Sequence, residues 1–133
     1  KEALYRNIDI GLELAKNLPK IDSDRGQLQQ VFLNILNNAM AAVEDEGRIV
    51  IATWEKDADT VAVSIQDDGC GMSEETVRHI FEPFFTTKRE HGTGLGLSIT
   101  YGIVKKLGGD IEVKSKEHEG TTFKIFLPKK SSE

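Results

Sequence analysis

The chain has 133 residues, with 22 acidic against 17 basic side chains and a formal net charge of −5, and this length suits one domain with its own core but not two. The negative balance disfavours nucleic acid and anionic lipid as partners of the surface as a whole. The single cysteine excludes an intrachain disulfide, and no apolar run approaches the roughly 20 residues needed to span a bilayer, so we expect a cytoplasmic domain without direct membrane contact.

The first predicted element is a helix from about Arg25 to Glu46. Asp24 and Gln27 can form a capping box at its start, and Gly47 supplies a stop. Its apolar side chains recur at three- and four-residue spacing, which is typical of a helix with one buried face. These positions are Leu28, Val31, Phe32, Ile35, Leu36, Ala39, Met40 and Val43.

Asparagines within this helix are the first candidate site residues. Asn34 and Asn38 lie at the border of the apolar stripe, whereas Asn37 projects toward water. Asn38 offers a neutral carbonyl oxygen, a hard ligand that suits Mg²⁺. Asn34 can orient a metal-bound water or a phosphate, but an amide cannot act as a general base. The alternative is that all three are ordinary surface amides.

Residues 48–56 and 60–68 predict two antiparallel strands joined by a polar turn. Alternation places Asp67 on the core face of the second strand and Asp68 on the opposite face. An unpaired buried carboxylate is costly unless a ligand supplies donors, as the exocyclic amine of adenine does. Gly69 and Gly71 would allow a flat base to approach the backbone. The alternative is a solvated carboxylate in an Asp-Gly turn.

A short helix and a lid-like stretch follow. Ser73 can cap a helix through about Ile80, and Pro83 prevents its simple continuation. The lid-like stretch then extends to His91. Its aromatic residues are either ordinary core side chains or anchors that dock the lid when nucleotide binds; they are Phe81, Phe84 and Phe85.

Glycines open the second amphipathic helix, which is predicted from about Leu97 to Leu107. Gly92, Gly94 and Gly96 match neither the phosphate loop G-x-x-x-x-G-K-[ST] nor the dinucleotide fingerprint G-x-G-x-x-G. Free N–H groups at a helix start can still bind a polyphosphate. Basic residues nearby would add charge, namely Lys88, Arg89 and His91. A glycine-rich loop without a ligand is the alternative.

Strands at about 110–116 and 121–127 complete the predicted elements. The predicted fold class is α/β, with helices layered on one face of a mostly antiparallel sheet. We expect the opposite face of the sheet to be more polar.

Together these motifs resemble the ATP-binding catalytic domain of bacterial two-component sensor histidine kinases, in the superfamily of gyrase-type topoisomerases, heat-shock chaperones and mismatch-repair ATPases. The resemblance covers nearly the whole chain and implies a two-layer α/β sandwich with an ATP lid. It also implies that residues 1–133 are a single domain from a larger sensor kinase. The similar segments are the asparagine motif at 34–39, the adenine-site motif at 67–71, the phenylalanine motif at 81–88, the second glycine motif at 92–96 and the last glycine motif at 120–123.

The resemblance implies ATP and Mg²⁺ as cofactors and assigns roles to individual residues. Asn38 ligates magnesium, Asp67 receives the adenine amine, and Thr121 supports that contact. Ala41 and Ala42 stand where many members carry a basic or aromatic residue, as in the subgroup of nitrogen-regulatory kinases. The cationic role then shifts to the lid. The candidate catalytic residues are Lys88, ahead of Arg89, and Asn34. The candidate nucleotide-binding residues are Asn34, Asn38, Asp67, Gly69, Gly71, Met72, Lys88, Gly92, Thr93, Gly94, Leu95, Gly96 and Thr121.

The implied function is an ATP-dependent protein histidine kinase that donates the γ-phosphoryl group to a histidine elsewhere. No His-Glu-x-x-x-Pro segment is present, so the acceptor is expected on a separate helical domain of the same parent, with a response regulator downstream. The isolated domain is expected to be a monomer that does not autophosphorylate. One alternative is a hydrolysing ATPase of the gyrase type, which has a Glu where this chain has Asn34. Another is a catalytically silent ATP-sensing module.

Overall fold

The computed structural model describes residues 7–43, 46–83 and 96–130. These residues form five strands and three helices. In chain order they are β1 (Asp9–Glu13), α1 (Arg25–Ala42), β2 (Arg48–Asp57), β3 (Thr60–Asp67), α2 (Glu74–His79), α3 (Gly96–Lys106), β4 (Asp110–Lys116) and β5 (Gly120–Pro128).

The strands form one mixed sheet in the order β1-β2-β3-β5-β4. The pairs β2 with β3, β3 with β5 and β4 with β5 are antiparallel, whereas β1 runs parallel to β2. The predicted α/β class with a mostly antiparallel sheet is confirmed. The predicted hairpin and the two C-terminal strands are confirmed as well, with ends that differ by one residue at most.

Strand β1 is absent from the sequence prediction. Its apolar side chains Ile10 and Leu12 are 47% and 62% exposed, and Gly11 lies between them. An edge strand of this kind has no buried face, so it lacks the hydrophobic alternation that predicts a strand. Its partner on β2 begins at Arg48, and such distant pairing cannot be read from local sequence.

Helix α1 begins as predicted but ends earlier. Asp24 Oδ1 accepts a hydrogen bond from the amide of Gln27 at 3.1 Å, which caps the first turn. The helix ends at Ala42, so the predicted end near Glu46 is wrong. Val43 adopts an extended backbone and its side chain is buried in the core. The carbonyl of Ala42 accepts the amide of Cys70 instead of continuing the helical ladder.

The core lies between one face of the sheet and helices α1 and α3. Its buried members on α1 repeat every four residues, at Val31, Ile35 and Ala39. Those of β5 alternate, as the period of a strand requires. The buried core residues are Val31, Ile35, Ala39, Val43, Ile49, Val61, Ile65, Val104, Ile111, Phe123, Ile125 and Leu127.

The opposite face of the sheet is less polar than predicted at one place. Ala62 is fully buried there, and it is in register with Trp54 on β2 and Phe126 on β5. Lys56 Nζ lies 4.8 Å from the centroid of the Phe126 ring, a cation–π contact that partly covers this ring. Ser64 and Gln66 on β3 keep the remainder of that face polar.

Phe81 is the one phenylalanine of the lid-like stretch that the structure describes. Its ring lies 5.1 Å from that of Tyr101 and 6.3 Å from that of Phe123, measured between centroids. Phe81 is partly buried and packs against the core, as a core aromatic would, and its role as a lid anchor stays a prediction. Phe84 and Phe85 lie outside the described residues.

None of the helices in the described ranges combines the length and the apolar composition that crossing a bilayer requires.

Candidate functional site

A row of side chains crosses one end of the sheet on the face that carries the helices. In register, Ser115 of β4 pairs with Thr121 of β5, Thr121 pairs with Asp67 of β3, and Asp67 pairs with Ile49 of β2. Asp67 and Thr121 are only 4% and 5% exposed. Strand alternation therefore places these polar groups on the same face of the sheet as the apolar core residues, at the edge of the core.

The carboxyl group of Asp67 is buried without a cation. Its Oδ1 accepts the amide of Gly69 at 2.8 Å, and the amide of Thr121 also bonds the carboxyl group. Burial raises the pKa of Asp67 above its usual value, with neighbouring Asp68 adding to the rise, and the two amide hydrogen bonds oppose it. In the described part of the chain, no cationic side chain forms an ion pair with Asp67. The group is therefore an acceptor that a donor on a ligand would stabilise.

Asp68 differs from its neighbour in the way that alternation predicts. Its side chain is exposed, and Oδ1 accepts the amide of Arg48 at 2.9 Å. This bond joins the end of β3 to the start of β2, so Asp68 has a local structural role. The prediction that only Asp67 faces the core is confirmed.

The glycines after Asp67 have a packing requirement that the sequence reasoning missed. A Cβ on Gly69 would lie 2.4 Å from the carbonyl oxygen of Ala42. Gly71 has a φ of +70°, and a Cβ there would lie 2.0 Å from the carbonyl oxygen of Lys116. Both positions therefore require glycine for internal close approach of the backbone, whether or not a base lies above them.

Ser115 connects three segments and is absent from the sequence prediction. Its Oγ accepts the amide of Met72 at 2.8 Å and donates to the carbonyl oxygen of Gly120 at 3.0 Å. The same Oγ lies 2.7 Å from Thr121 Oγ1. The signal that would have found it is alternation on β4, because Ser115 follows Ile111 and Val113 on the core-facing side of the strand.

Asn34 joins α1 to the first turn of α3. Its Nδ2 donates to the carbonyl oxygen of Gly96 at 3.2 Å and to Thr100 Oγ1 at 3.0 Å, while its Oδ1 accepts from Gln30 Nε2 at 2.8 Å. Thr100 is fully buried, and its hydroxyl donates to the Gly96 carbonyl at 2.9 Å. Thr100 was not predicted from the sequence, because a threonine in an amphipathic helix is not distinguishable there from a surface polar residue. Asn34 thus links α1 to the first described turn of α3.

The other two asparagines of α1 lie on the faces that the wheel predicts. Asn38 is half-buried, one turn after Asn34, and Asn37 is exposed. No cluster of three or more His, Cys, Asp or Glu side chains suited to a metal occurs in residues 7–43, 46–83 and 96–130. A single amide oxygen fits Mg²⁺ only if phosphate and water oxygens supply most of the shell, as is usual for this ion.

Part of the predicted site lies outside the described residues, namely Lys88, Arg89, His91, Gly92, Thr93, Gly94 and Leu95. Gly96 is described as the first residue of α3. A Cβ built on it would meet no atom within 4 Å among the described residues. Of the predicted site residues, the structure therefore brings Asp67 and Thr121 together on the sheet and Asn34 and Gly96 together between the helices.

Residues 23–131 match the protein family described as histidine kinase-, DNA gyrase B- and HSP90-like ATPase. The chain belongs to this family. Its curated relatives include sporulation kinase E of Bacillus subtilis (strain 168), 42% identical over 96% of this chain and 17% of that protein. The signal transduction histidine-protein kinase AtoS of Escherichia coli (strain K12) is 45% identical over 91% of this chain and 20% of its own length. The chain thus spans about a fifth of the length of these relatives.

Solved structures of the family have the same fold. The nucleotide-free catalytic domain of the histidine kinase ThkA is 36% identical, with a TM-score of 0.84, over 97% of this chain and 85% of that one. Full-length ShkA in complex with AMPPNP is 29% identical, with a TM-score of 0.86, over 98% of this chain and 27% of that one. The predicted family, a histidine-kinase-type catalytic domain, and the predicted fold are confirmed. The nitrogen-regulatory subgroup stays a prediction.

Proposed function

We propose that residues 1–133 are the catalytic domain of a longer sensor kinase, which binds Mg-ATP and donates its γ-phosphoryl group to a histidine on a separate helical domain. The observation that carries the nucleotide part is the buried carboxyl group of Asp67, which accepts two backbone amides and has no cation among the described residues. The transfer part is supported by similarity to proteins named as histidine kinases.

The adenine end of the nucleotide would lie against the end of the sheet. The exocyclic amine of adenine donates hydrogen bonds, and Asp67 is an acceptor already oriented by the amides of Gly69 and Thr121. Met72 is held by Ser115 beside this row, so it would form part of the wall. In this arrangement the adenine amine supplies hydrogen-bond donors to the buried carboxylate, which has no cation among the described residues.

The phosphate end would lie toward α1 and the start of α3. Asn38 would contribute one oxygen to Mg²⁺, which supplies charge neutralisation to the β- and γ-phosphates. Asn34 holds the start of α3 through Gly96, where free N–H groups favour an anion. We assign the remaining phosphate contacts to the predicted lid and glycine residues, namely Lys88, Gly92, Thr93, Gly94 and Leu95.

In the proposed reaction an imidazole nitrogen of the acceptor histidine attacks the γ-phosphorus, the bond to the β,γ-bridging oxygen breaks, and ADP leaves. The chain contributes positioning and charge rather than a base, since the amide of Asn34 takes up no proton near neutral pH. The same feature disfavours the gyrase-type alternative, which must activate water. An ATP-sensing module without catalysis is the second alternative.

The partners that follow from this proposal lie outside the chain. They are the phosphoacceptor helical domain of the same parent and a response regulator downstream, with no nucleic acid and no direct contact with membrane. We propose that the domain itself is cytoplasmic and monomeric.

Transfer to a reconstituted acceptor tests the proposal. The chain would be mixed with γ-labelled Mg-ATP and the parent's helical domain, with the same domain lacking its acceptor histidine as the matched control. We expect acid-labile, base-stable label only on the intact acceptor. Rapid phosphate release without an acceptor would identify an ATPase, and nucleotide binding without either reaction would identify a sensing module.

A further inference from the structure

The hydroxyl of Ser115 has all its hydrogen-bonding capacity occupied. A serine hydroxyl has one proton to donate and two lone pairs that accept. The amide of Met72 can only donate, so it occupies one lone pair, and the carbonyl of Gly120 can only accept, so it takes the proton. One lone pair of Ser115 is left for the remaining neighbour.

That neighbour is Thr121 Oγ1, at 2.7 Å. Because the Ser115 proton is committed to Gly120, the hydroxyl of Thr121 must be the donor in this contact. The proton of Thr121 therefore points to Ser115, and its oxygen is left with lone pairs only. Thr121 lies in register with Asp67, and its backbone amide bonds the Asp67 carboxyl group.

We propose that Ser115 is a positioning residue that sets the base preference of the nucleotide site by fixing the direction of the Thr121 hydroxyl. With Ser115 in place, Thr121 and Asp67 both present acceptors at the end of the sheet. Adenine presents an exocyclic amine, which donates, whereas guanine presents a carbonyl oxygen at the matching ring position. The pair of acceptors favours the first base and disfavours the second. This inference rests on the proposed function.

Removing the Ser115 hydroxyl frees the Thr121 proton. In Ser115→Ala the Thr121 hydroxyl can rotate and donate toward the base, so it can serve a carbonyl oxygen as well as an amine. We expect the ratio of ATP to GTP affinity to fall about tenfold, the size of one mismatched polar contact. Calorimetry with ATP and GTP on folded samples measures this ratio. Ser115→Thr keeps the hydroxyl and should retain the ratio of the unchanged chain.

The matched control is Ser64→Ala, the same change on the opposite face of β3, where Ser64 is in register with Ala52 and Lys124. It should leave the ratio unchanged. If Ser115→Ala does not fold, Ser115→Cys fills similar volume with a weak hydrogen-bonding group and should also lose the preference.

A double-mutant cycle separates this role from general loosening of the site. In Thr121→Val no hydroxyl remains to be oriented, so adding Ser115→Ala should not change the ATP to GTP ratio further. An unchanged ratio in folded Ser115→Ala, or an equal fall in both backgrounds, would overturn the role of Ser115. Failure of the unchanged chain to bind either nucleotide would overturn the proposed function instead.

Discussion

At the scale of single residues, the buried carboxyl group of Asp67 is proposed to favour ligand binding at a cost in folding stability. Burial raises the pKa of its carboxyl group, so the folded state holds the proton more tightly than the unfolded state does. Between the usual pKa and the raised one, stability therefore falls as pH rises, and above the raised pKa the loss is complete. Once ionised, the buried group opposes folding. A buried carboxyl group with a raised pKa is a candidate for ligand binding.

The first prediction is that Asp67→Asn weakens ATP binding without weakening the fold at pH 7. An amide can turn a donor toward the adenine amine, and a mismatched polar pair costs about 1 to 3 kcal/mol. Denaturation of both proteins from pH 4 to 8 should show the stability of the variant gaining on the unchanged chain as pH rises. Asp68→Asn, at an exposed site, is the control. Unchanged ATP affinity in folded Asp67→Asn would contradict the adenine assignment.

The second prediction concerns the side-chain amides of Asn38 and Asn37 on α1. Asn38→Ala should weaken magnesium-dependent nucleotide binding about tenfold, since one oxygen of the metal shell is lost. Asn37→Ala, the same change on the exposed face of α1, should have little effect. Calorimetry with ADP, with and without Mg²⁺, compares the two variants. Equal losses would show that the face of the helix does not decide the role.

At the scale of elements, the link between α1 and α3 rests on a buried threonine. Thr100 accepts from Asn34 and donates to Gly96, and its side chain is fully buried. The third prediction is that Thr100→Val, which keeps the volume and removes the hydroxyl, destabilises the fold by about 1 to 3 kcal/mol because it leaves polar groups unsatisfied. It should also weaken ATP binding, since the start of α3 shifts.

The control for this change is Thr122→Val, on the face of β5 opposite to Thr121 and Phe123. Urea denaturation measures stability and calorimetry measures affinity. If Thr100→Val lost stability and kept full ATP affinity, the link would have a structural role only.

Elements with a buried face could be predicted from the sequence, and those without one could not. The stripe of α1 and the alternation around Asp67 both reflect burial, so their faces were predicted correctly. Strand β1 was not predicted because its apolar residues Ile10 and Leu12 are exposed. The end of α1 was predicted wrongly because the carbonyl oxygen of Ala42 accepts the amide of Cys70. This contact forms only when the helix packs against the sheet.

Some residues of the candidate site could be predicted from the sequence, and others could not. Asp67 could be found because a carboxylate on a core face is anomalous in the sequence itself. Ser115 and Thr100 could not, because small hydroxyl residues are common on strands and helices, and their importance lies in partners distant in the chain. The packing of Gly69 against Ala42 is likewise a tertiary contact.

At the scale of the whole molecule, a domain of net charge −5 is proposed to hold a polyanion. The described part of the proposed phosphate end contributes amides and a helix start rather than cations, since Asn34, Asn38 and Gly96 are all neutral. Magnesium offsets part of the triphosphate charge. The remaining cation is expected from the segment before α3, where Lys88 and Arg89 stand in the sequence.

The last prediction is that Lys88→Ala impairs phosphoryl transfer far more than ADP binding, because its ammonium is proposed to act on the terminal phosphate. Loss of one group that stabilises developing charge lowers the rate about 10²- to 10³-fold. Lys114→Ala removes the same charge from an exposed position on β4, so it separates local contact from net charge. Transfer to the reconstituted acceptor and calorimetry with ADP measure the two effects. A normal transfer rate in Lys88→Ala would assign the cation to Arg89 or to a group outside this chain.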